Sequence, residues 1–95
     1  MITFEFGIMS SRYSCKAENK LTAYVVMCYF YGENSHMIAL YEPKEIVKND
    51  SWMCITGQVS ARLDEIFGGE NAFEKYIEPH IKEIKECYKS IKQLI

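Results

Sequence analysis

The chain has 95 residues, of which 48% are hydrophobic and 25% are charged, and this composition is typical of a single folded domain over residues 1–95. The formal net charge of −2 at pH 7 supplies no basic surface for a phosphate backbone, so we do not expect binding to nucleic acid. The longest apolar run, Leu21–Tyr31, has 11 residues and is shorter than the roughly 20 that cross a bilayer. Because the N-terminus also lacks the basic residues of a signal peptide, we expect a cytoplasmic protein without membrane contact.

The first third of the chain is dominated by patterns typical of strands. Residues 2–9 alternate between apolar and polar side chains, which predicts a half-buried strand. Residues 12–19 fit a strand, a loop or one helical face, and we favour a strand or a loop. The segment Leu21–Tyr31 is rich in β-branched and aromatic residues, which predicts a strand. A second apolar run, Met37–Tyr41, follows a loop that contains glycine, Gly32–Ser35, so the two runs are predicted to form a hairpin.

Pro43 is expected to end the second arm of that hairpin and to begin one helical turn through Val47, because proline removes a ladder donor and fits the first turn of a helix. The residues of Trp52–Thr56 predict a further short strand. The part of the chain up to Thr56 therefore predicts about four strands, with connections short enough for antiparallel neighbours.

The remaining residues show helical spacing. Val59–Phe67 predicts an amphipathic helix that ends at the Gly68–Gly69 pair. Asn71 is predicted to cap the last helix, with Glu74 in the capping-box position. That helix is expected to reach the C-terminus, with a kink or a break at Pro79. The order of elements predicts an α+β fold, in which an antiparallel sheet of about four strands carries two C-terminal helices on one face.

An apolar stripe runs along the last quarter of the chain, with members three or four residues apart: Ile77, Ile81, Ile84, Tyr88, Ile91 and Ile95. This spacing places the stripe on one face of a helix, where it is buried against another surface. We favour packing on the protein's own sheet, because the repeat is short for a coiled coil. A homodimer seam formed by the first five of these residues is the alternative, and the two uses do not exclude each other.

Two charged rows lie beside this stripe. Acidic residues recur every four positions at the start of the last helix, at Glu70, Glu74 and Glu78. Lysines recur every three or four positions toward its end, at Lys82, Lys85, Lys89 and Lys92. Each sign lies where the helix dipole favours it, so we interpret both rows as solvated surface and expect no bound metal.

The four cysteines, Cys15, Cys28, Cys54 and Cys87, include no Cys-x-x-Cys pair, so neither a zinc site nor a redox motif is predicted. We expect reduced thiols and no cofactor. A small enzyme that pairs Cys28 or Cys54 with His36 is an alternative, although no local motif supports it. Phosphate-binding loops and metalloprotease or hydrolase motifs are absent from the sequence.

Aromatic residues make up 14% of the chain, and two helices are few to cover them all. Tyrosine, tryptophan and arginine are enriched where proteins bind one another, so an exposed aromatic surface would serve a protein partner rather than RNA. The alternative is that these aromatic residues form an ordinary core. The residues assigned to this surface are Arg12, Tyr13, Tyr24, Trp52 and Arg62.

These observations predict a binding protein that is not an enzyme. It would act by occluding a surface of another protein, as inhibitors, immunity proteins, antitoxins and phage anti-defence proteins do. The first alternative is a homodimeric regulatory or ligand-binding domain that uses the C-terminal helix as its seam. The second alternative is the small Cys- or His-dependent enzyme.

Overall fold

The computed structural model describes residues 1–8, 11–31, 39–43 and 52–94. The strands in these ranges are β1 (Ile2–Ile8), β2 (Ser11–Ala17), β3 (Ala39–Pro43), β4 (Trp52–Cys54) and β5 (Lys92–Leu94). The helices are α1 (Lys20–Tyr31), α2 (Thr56–Phe67), α3 (Ala72–Ile77) and α4 (Ile81–Lys89), and a 3-10 turn at Glu78–His80 joins the last two into the α3–α4 segment (Ala72–Lys89). None of the described helices is long and apolar enough to span a membrane.

The described strands form one antiparallel sheet in the order β4-β3-β1-β2-β5, which confirms the predicted α+β fold class with one more strand than expected. Side chains alternate between the two faces of each strand. The register places Phe6 beside Tyr13 of β2 and beside Leu40 of β3. Phe4, Phe6 and Leu40 are fully buried in one cluster with side chains from the helices, so the core lies between this face of the sheet and the helices.

The prediction of a strand at Leu21–Tyr31 is wrong, because these residues form α1. Both faces of the run are apolar since α1 is the central helix, packed on the sheet and flanked by α2 and α4. A helix that is apolar on all sides is typical of such a buried position. Val25, Val26 and Met27 are consecutive and fully buried, which a strand with one covered face does not allow. The length of this run indicates the structure better than its composition does, because 11 residues favour a helix over a strand.

The other strand predictions have mixed outcomes. β2 confirms a strand within residues 12–19, and β3 confirms that a strand reaches Tyr41. The predicted hairpin is wrong because its first arm is helical; its loop and Met37 lie outside the described residues, as does the predicted helical turn after Pro43. Only the first three residues of Trp52–Thr56 are a strand, since Thr56 begins α2.

The helix predicted to reach the C-terminus ends at Lys89 instead. The 3-10 turn at Glu78–His80 confirms the break predicted at Pro79, whose ring disrupts the regular hydrogen-bond pattern. The Ser90 hydroxyl accepts a hydrogen bond from the backbone amide of Lys16 at 2.8 Å, which fixes the end of α4 beside β2. The chain then continues as β5, which pairs with β2 along the edge of the sheet.

The ends of the middle helices depend on left-handed residues. Gly68 and Gly69, with φ of 84° and 77°, end α2 as predicted. Asn71 does precede α3, but its φ is 59° and its side chain makes no capping hydrogen bond. The capping box predicted between Asn71 and Glu74 is therefore wrong.

A polar network inside the core joins α1 to α3. The Tyr76 hydroxyl lies 2.8 Å from the Thr22 hydroxyl and donates to Asn19 Oδ1 at 3.4 Å. The same Asn19 oxygen accepts a hydrogen bond from the Thr22 amide at 3.0 Å and so caps the start of α1. Thr22 and Tyr76 are buried, and burial raises the pKa of Tyr76, which keeps its hydroxyl protonated at neutral pH.

Replacing Tyr76 with Phe is expected to lower the free energy of unfolding by about 1–2 kcal/mol, because the buried Thr22 hydroxyl loses a partner. Urea unfolding followed by far-UV circular dichroism measures the loss. Tyr29→Phe is the matched control, since Tyr29 is exposed and its change is expected to cost less than about 0.5 kcal/mol. Equal losses in the two variants would show that the network does not stabilise the fold.

Candidate protein-binding surface

Arg12 and Tyr13 are neighbours on β2 and point to opposite faces of the sheet. Arg12 Nε donates to Glu5 Oε1 at 2.9 Å, and its guanidinium carbon lies 4.1 Å from the centroid of the Tyr41 ring. Tyr13 lies on the face that carries the helices, with its ring centroid 5.6 Å from that of Phe6. Of these two predicted binding residues, Arg12 alone lies on the outer face of the sheet.

The other predicted binding residues lie on different elements. Tyr24 is half-buried on α1, and burial raises its pKa. Arg62 is on the exposed side of α2, where it forms an ion pair with Glu65 at 3.0 Å. The side chain of Trp52 lies outside the described part of the structure. The described members of the predicted set therefore do not form one surface, and their role in binding stays a prediction.

The outer face of the sheet holds a preformed polar cluster around Arg12. The strand register places Glu5 next to Ser14 and Tyr41, and Arg12 fills the space between Glu5 and Tyr41. Because the carboxylate neutralises the guanidinium and the ring covers it, the cluster is ordered and largely self-satisfied. It lacks the apolar character of a strong protein-binding site.

A groove of about 330 Å³ lies between α1 and the α3–α4 segment. Tyr29 of α1 forms one wall. The rest of the lining comes from the α3–α4 segment: Ile77, Ile81, Ile84, Lys85, Tyr88 and Lys89. Four of the five residues predicted for a dimer seam thus line this groove. The fifth, Ile91, follows α4 and is half-buried against the core.

Within the groove the apolar stripe divides between the core and the surface. Ile84 is 6% exposed and belongs to the core, whereas Ile81 and Tyr88 are 44% and 48% exposed. Tyr29, on the opposite wall, is 61% exposed. Three large apolar side chains therefore face water on adjacent helices, which is typical of an interaction site rather than of scattered surface residues. Ile84 belongs to the core and Ile77 and Ile91 pack against it, whereas Ile81 and Tyr88 are left uncovered by the described residues, and Ile95 lies outside them.

Neighbouring rings hold the walls of the groove in place. The Tyr29 ring stacks with Phe73, with 6.2 Å between the centroids and 18° between the planes. The Tyr88 ring lies 6.1 Å from that of Phe30, which packs against the core. Such aromatic contacts restrict the rotamers of the exposed tyrosines. A partner would therefore meet a surface that is already formed.

The described histidine and the buried cysteines contact other side chains of the fold. His80 stacks on Tyr76, with 4.1 Å between ring centroids, and its Nδ1 lies 3.0 Å from the Tyr76 carbonyl oxygen. Cys15 and Cys87 are both buried, and the hydrogen bond with Cys87, together with burial, raises the pKa of the Cys15 thiol. The described residues contain no group of three His, Cys, Asp or Glu side chains able to hold a metal ion. His36, the predicted partner of a nucleophilic cysteine, lies outside the described residues.

Thiol labelling tests whether the cysteines are structural. In the folded protein at pH 7, a maleimide is expected to modify the exposed Cys54 and to leave the buried Cys15 and Cys87 unmodified until urea unfolds the chain. Peptide mass spectrometry identifies the modified positions. Rapid modification of Cys15 in the folded protein would contradict its burial.

Comparison of the chain with protein-family models, with curated proteins and with solved structures finds no match. The class of protein is therefore defined by the fold and the surfaces described above. It is a small α+β domain with an aromatic and aliphatic groove on the side of the sheet that carries the helices.

Sequence reasoning missed Tyr29 as a groove residue and Phe73 as the ring that stacks on it. The run that contains Tyr29 is predicted to be a strand, and Phe73 has no pattern that separates it from ordinary core residues. The place of Tyr29 in the groove depends on how α1 packs beside α4, which no local signal reports. The apolar stripe is the sequence signal that supplies most of the groove lining.

Proposed function

We propose that the chain is an intracellular protein-binding module without catalytic activity, which docks a polypeptide segment in the groove between α1 and the α3–α4 segment. The observation that carries the proposal is the exposure of Tyr29, Ile81 and Tyr88 side by side on helices whose other faces are anchored in the core. Aromatic side chains in this setting are the residues that most often dominate binding energy.

Two properties of the groove favour binding: the apolar surface that a partner would cover, and the restricted side chains of its tyrosines. Covering apolar surface contributes about 25 cal/mol per Å², so one docked segment that covers three large side chains gains several kcal/mol. Because Phe73 and Phe30 already hold the two tyrosines, little side-chain freedom is lost on binding. The groove thus offers both area and preorganisation, whereas the Arg12 cluster offers mainly polar groups that are already paired.

The groove chemistry favours an amphipathic helix with acidic residues beside its apolar stripe. Its floor is aliphatic, and the charged residues among its described lining are Lys85 and Lys89. A helix laid along such a groove buries its stripe and places acidic flanks near these lysines. An extended strand would fit less well, because helical walls have no free backbone groups with which to pair it.

Docking in this groove is compatible with two of the functions predicted from the sequence. A different protein in the groove would make the chain an occluding module of the inhibitor, immunity-protein or antitoxin type. A second copy of the chain would make it a homodimeric regulatory domain. The two functions share the surface and differ in the occupant.

The proposal is tested with two variants that change equally exposed isoleucines. Ile81→Lys places a charge in the groove, whereas Ile66→Lys makes the same change on α2, outside the groove lining, at 46% exposure. Tagged wild-type and variant chains are expressed in the native cells together with an untagged wild-type copy. The polypeptides that co-purify in stoichiometric amount are then identified by mass spectrometry.

The expected result is a stoichiometric polypeptide on wild type and on Ile66→Lys that is absent from Ile81→Lys. It can be a different protein or the untagged copy, and either one supports docking in the groove. Recovery of the same polypeptide by Ile81→Lys, or of none by wild type, would overturn the proposal.

A further inference from the structure

We infer that a second copy of this chain occupies the groove, through antiparallel pairing of two α3–α4 segments. The inference rests on the proposed function, because it names the occupant of the same groove. The occupant required there is a helix with an apolar stripe and acidic flanks, and the chain carries such a helix itself. That helix is the α3–α4 segment, with Glu74 and Glu78 beside its stripe.

Five of the charged residues along the segment form a row that changes sign, and Lys75, Glu83 and Glu86 are further exposed charges outside this row. Its members are exposed and follow one another at spacings of four, four, three and four: Glu74, Glu78, Lys82, Lys85 and Lys89. Within α4, residues at these spacings lie on the same side of the helix, and Glu74 and Glu78 continue the row on the other side of the 3-10 turn. The acidic members are at the start of the row, and the basic members are at its end. A row of this kind repels a parallel copy of itself and attracts an antiparallel one.

The apolar residues of the two copies also face each other when the α3–α4 segments are antiparallel. A twofold axis between Lys82 and Glu83 places the exposed Ile81 of one copy over the groove floor at the buried Ile84 of the other, and Ile77 beside the exposed Tyr88. In that register Glu78 of one copy lies between the positions of Lys85 and Lys89 of the other. Because a twofold axis makes every contact occur twice, each of these apolar and charged contacts is formed two times across the interface.

The pairing also has enough length to form a specific interface. The α3–α4 segment has 18 residues, which corresponds to about 27 Å at the rise of an α-helix. The exposed Tyr29 of each copy flanks the paired helices and extends the contact onto α1. Each copy is thus both the groove and the helix that fills it.

The test measures the mass of the purified full-length chain by sedimentation equilibrium over a range of concentrations. Wild type and Ile66→Lys are expected at twice the 11.1 kDa of one chain, and Ile81→Lys at 11.1 kDa. Two charge-reversed variants follow, Glu74→Lys with Glu78→Lys, and Lys85→Glu with Lys89→Glu. The first makes the row wholly basic, and the second makes it acidic except at Lys82; each is expected to weaken self-association about 10- to 100-fold. An equimolar mixture of the two is expected to restore the dimer, because opposite rows then face each other.

Far-UV circular dichroism and thermal unfolding confirm that all variants are folded, which is expected because every changed position is exposed. A wild-type chain that is monomeric at all concentrations would overturn the second copy as occupant. The proposed function would still stand if native cells yielded a different protein that Ile81→Lys loses. A dimer that survives Ile81→Lys, or charge reversal without effect, would place the contact elsewhere and overturn the antiparallel pairing.

Discussion

The Ile84→Lys variant is expected to be largely unfolded at 25 °C, whereas Ile81→Lys is expected to fold almost as stably as wild type. Ile84 is 6% exposed and Ile81 is 44% exposed, although they lie three residues apart on α4. A lysine at position 84 has to bury an unpaired ammonium group or to open the core, which costs more than about 4 kcal/mol. At position 81 the side chain reaches water, and the cost is below about 1 kcal/mol.

Urea unfolding of the two variants measures this difference directly. Small domains are stable by only about 5–15 kcal/mol, so the loss at Ile84 removes much or all of the folded population. The pair also separates the two uses of the stripe, because Ile81→Lys is expected to lose binding while it keeps its fold. Similar stability in both variants would show that α4 does not pack through Ile84.

Phe6→Ala is expected to lower the free energy of unfolding by about 3–5 kcal/mol. Phe6 is fully buried at the middle of β1, and its ring lies 5.6 Å from that of Tyr13 and 5.8 Å from that of Phe30. Truncation removes these contacts and leaves a cavity between the sheet and α1, which the rigid strands cannot close. The loss is measured by urea unfolding at pH 7.

Tyr41→Ala is the control for this prediction, because it removes an aromatic ring from the outer face of the same sheet. Tyr41 is half-buried and covers Arg12, so its truncation is expected to cost about 1–2 kcal/mol. A loss at Tyr41 as large as the loss at Phe6 would mean that the outer face is also covered in the folded protein.

The parts of the fold that were predicted from the sequence carry strong local signals. The alternation in residues 2–9 gives β1, and the helical spacing before the Gly68–Gly69 pair gives α2. The break at Pro79 follows from the chemistry of one residue. In each case the physical cause lies within a few residues of its effect.

The parts that could not be predicted depend on distant contacts. α1 could not be recognised from the sequence because a helix that is apolar on all sides has no amphipathic period, and its valines favour a strand locally. β5 has three residues, and its pairing with β2 joins positions about 80 residues apart, which no local pattern reports. The spacing of the stripe is a local signal and predicts a helix face. The division of that face into the buried Ile84 and the exposed Ile81 depends on distant contacts, so the sequence does not predict it.

The most direct test of the central claim, that a polypeptide docks in the groove, is site-specific photocrosslinking of the full-length chain in its native cells. A benzophenone amino acid replaces Tyr88 in one variant and Ile66 in the other, since both positions are exposed and only Tyr88 lines the groove. We expect a light-dependent adduct of one defined mass at position 88 and none at position 66. An adduct of twice the chain mass identifies a second copy, and any other defined mass identifies a different partner. No adduct at position 88, or equal adducts at both positions, would contradict the account.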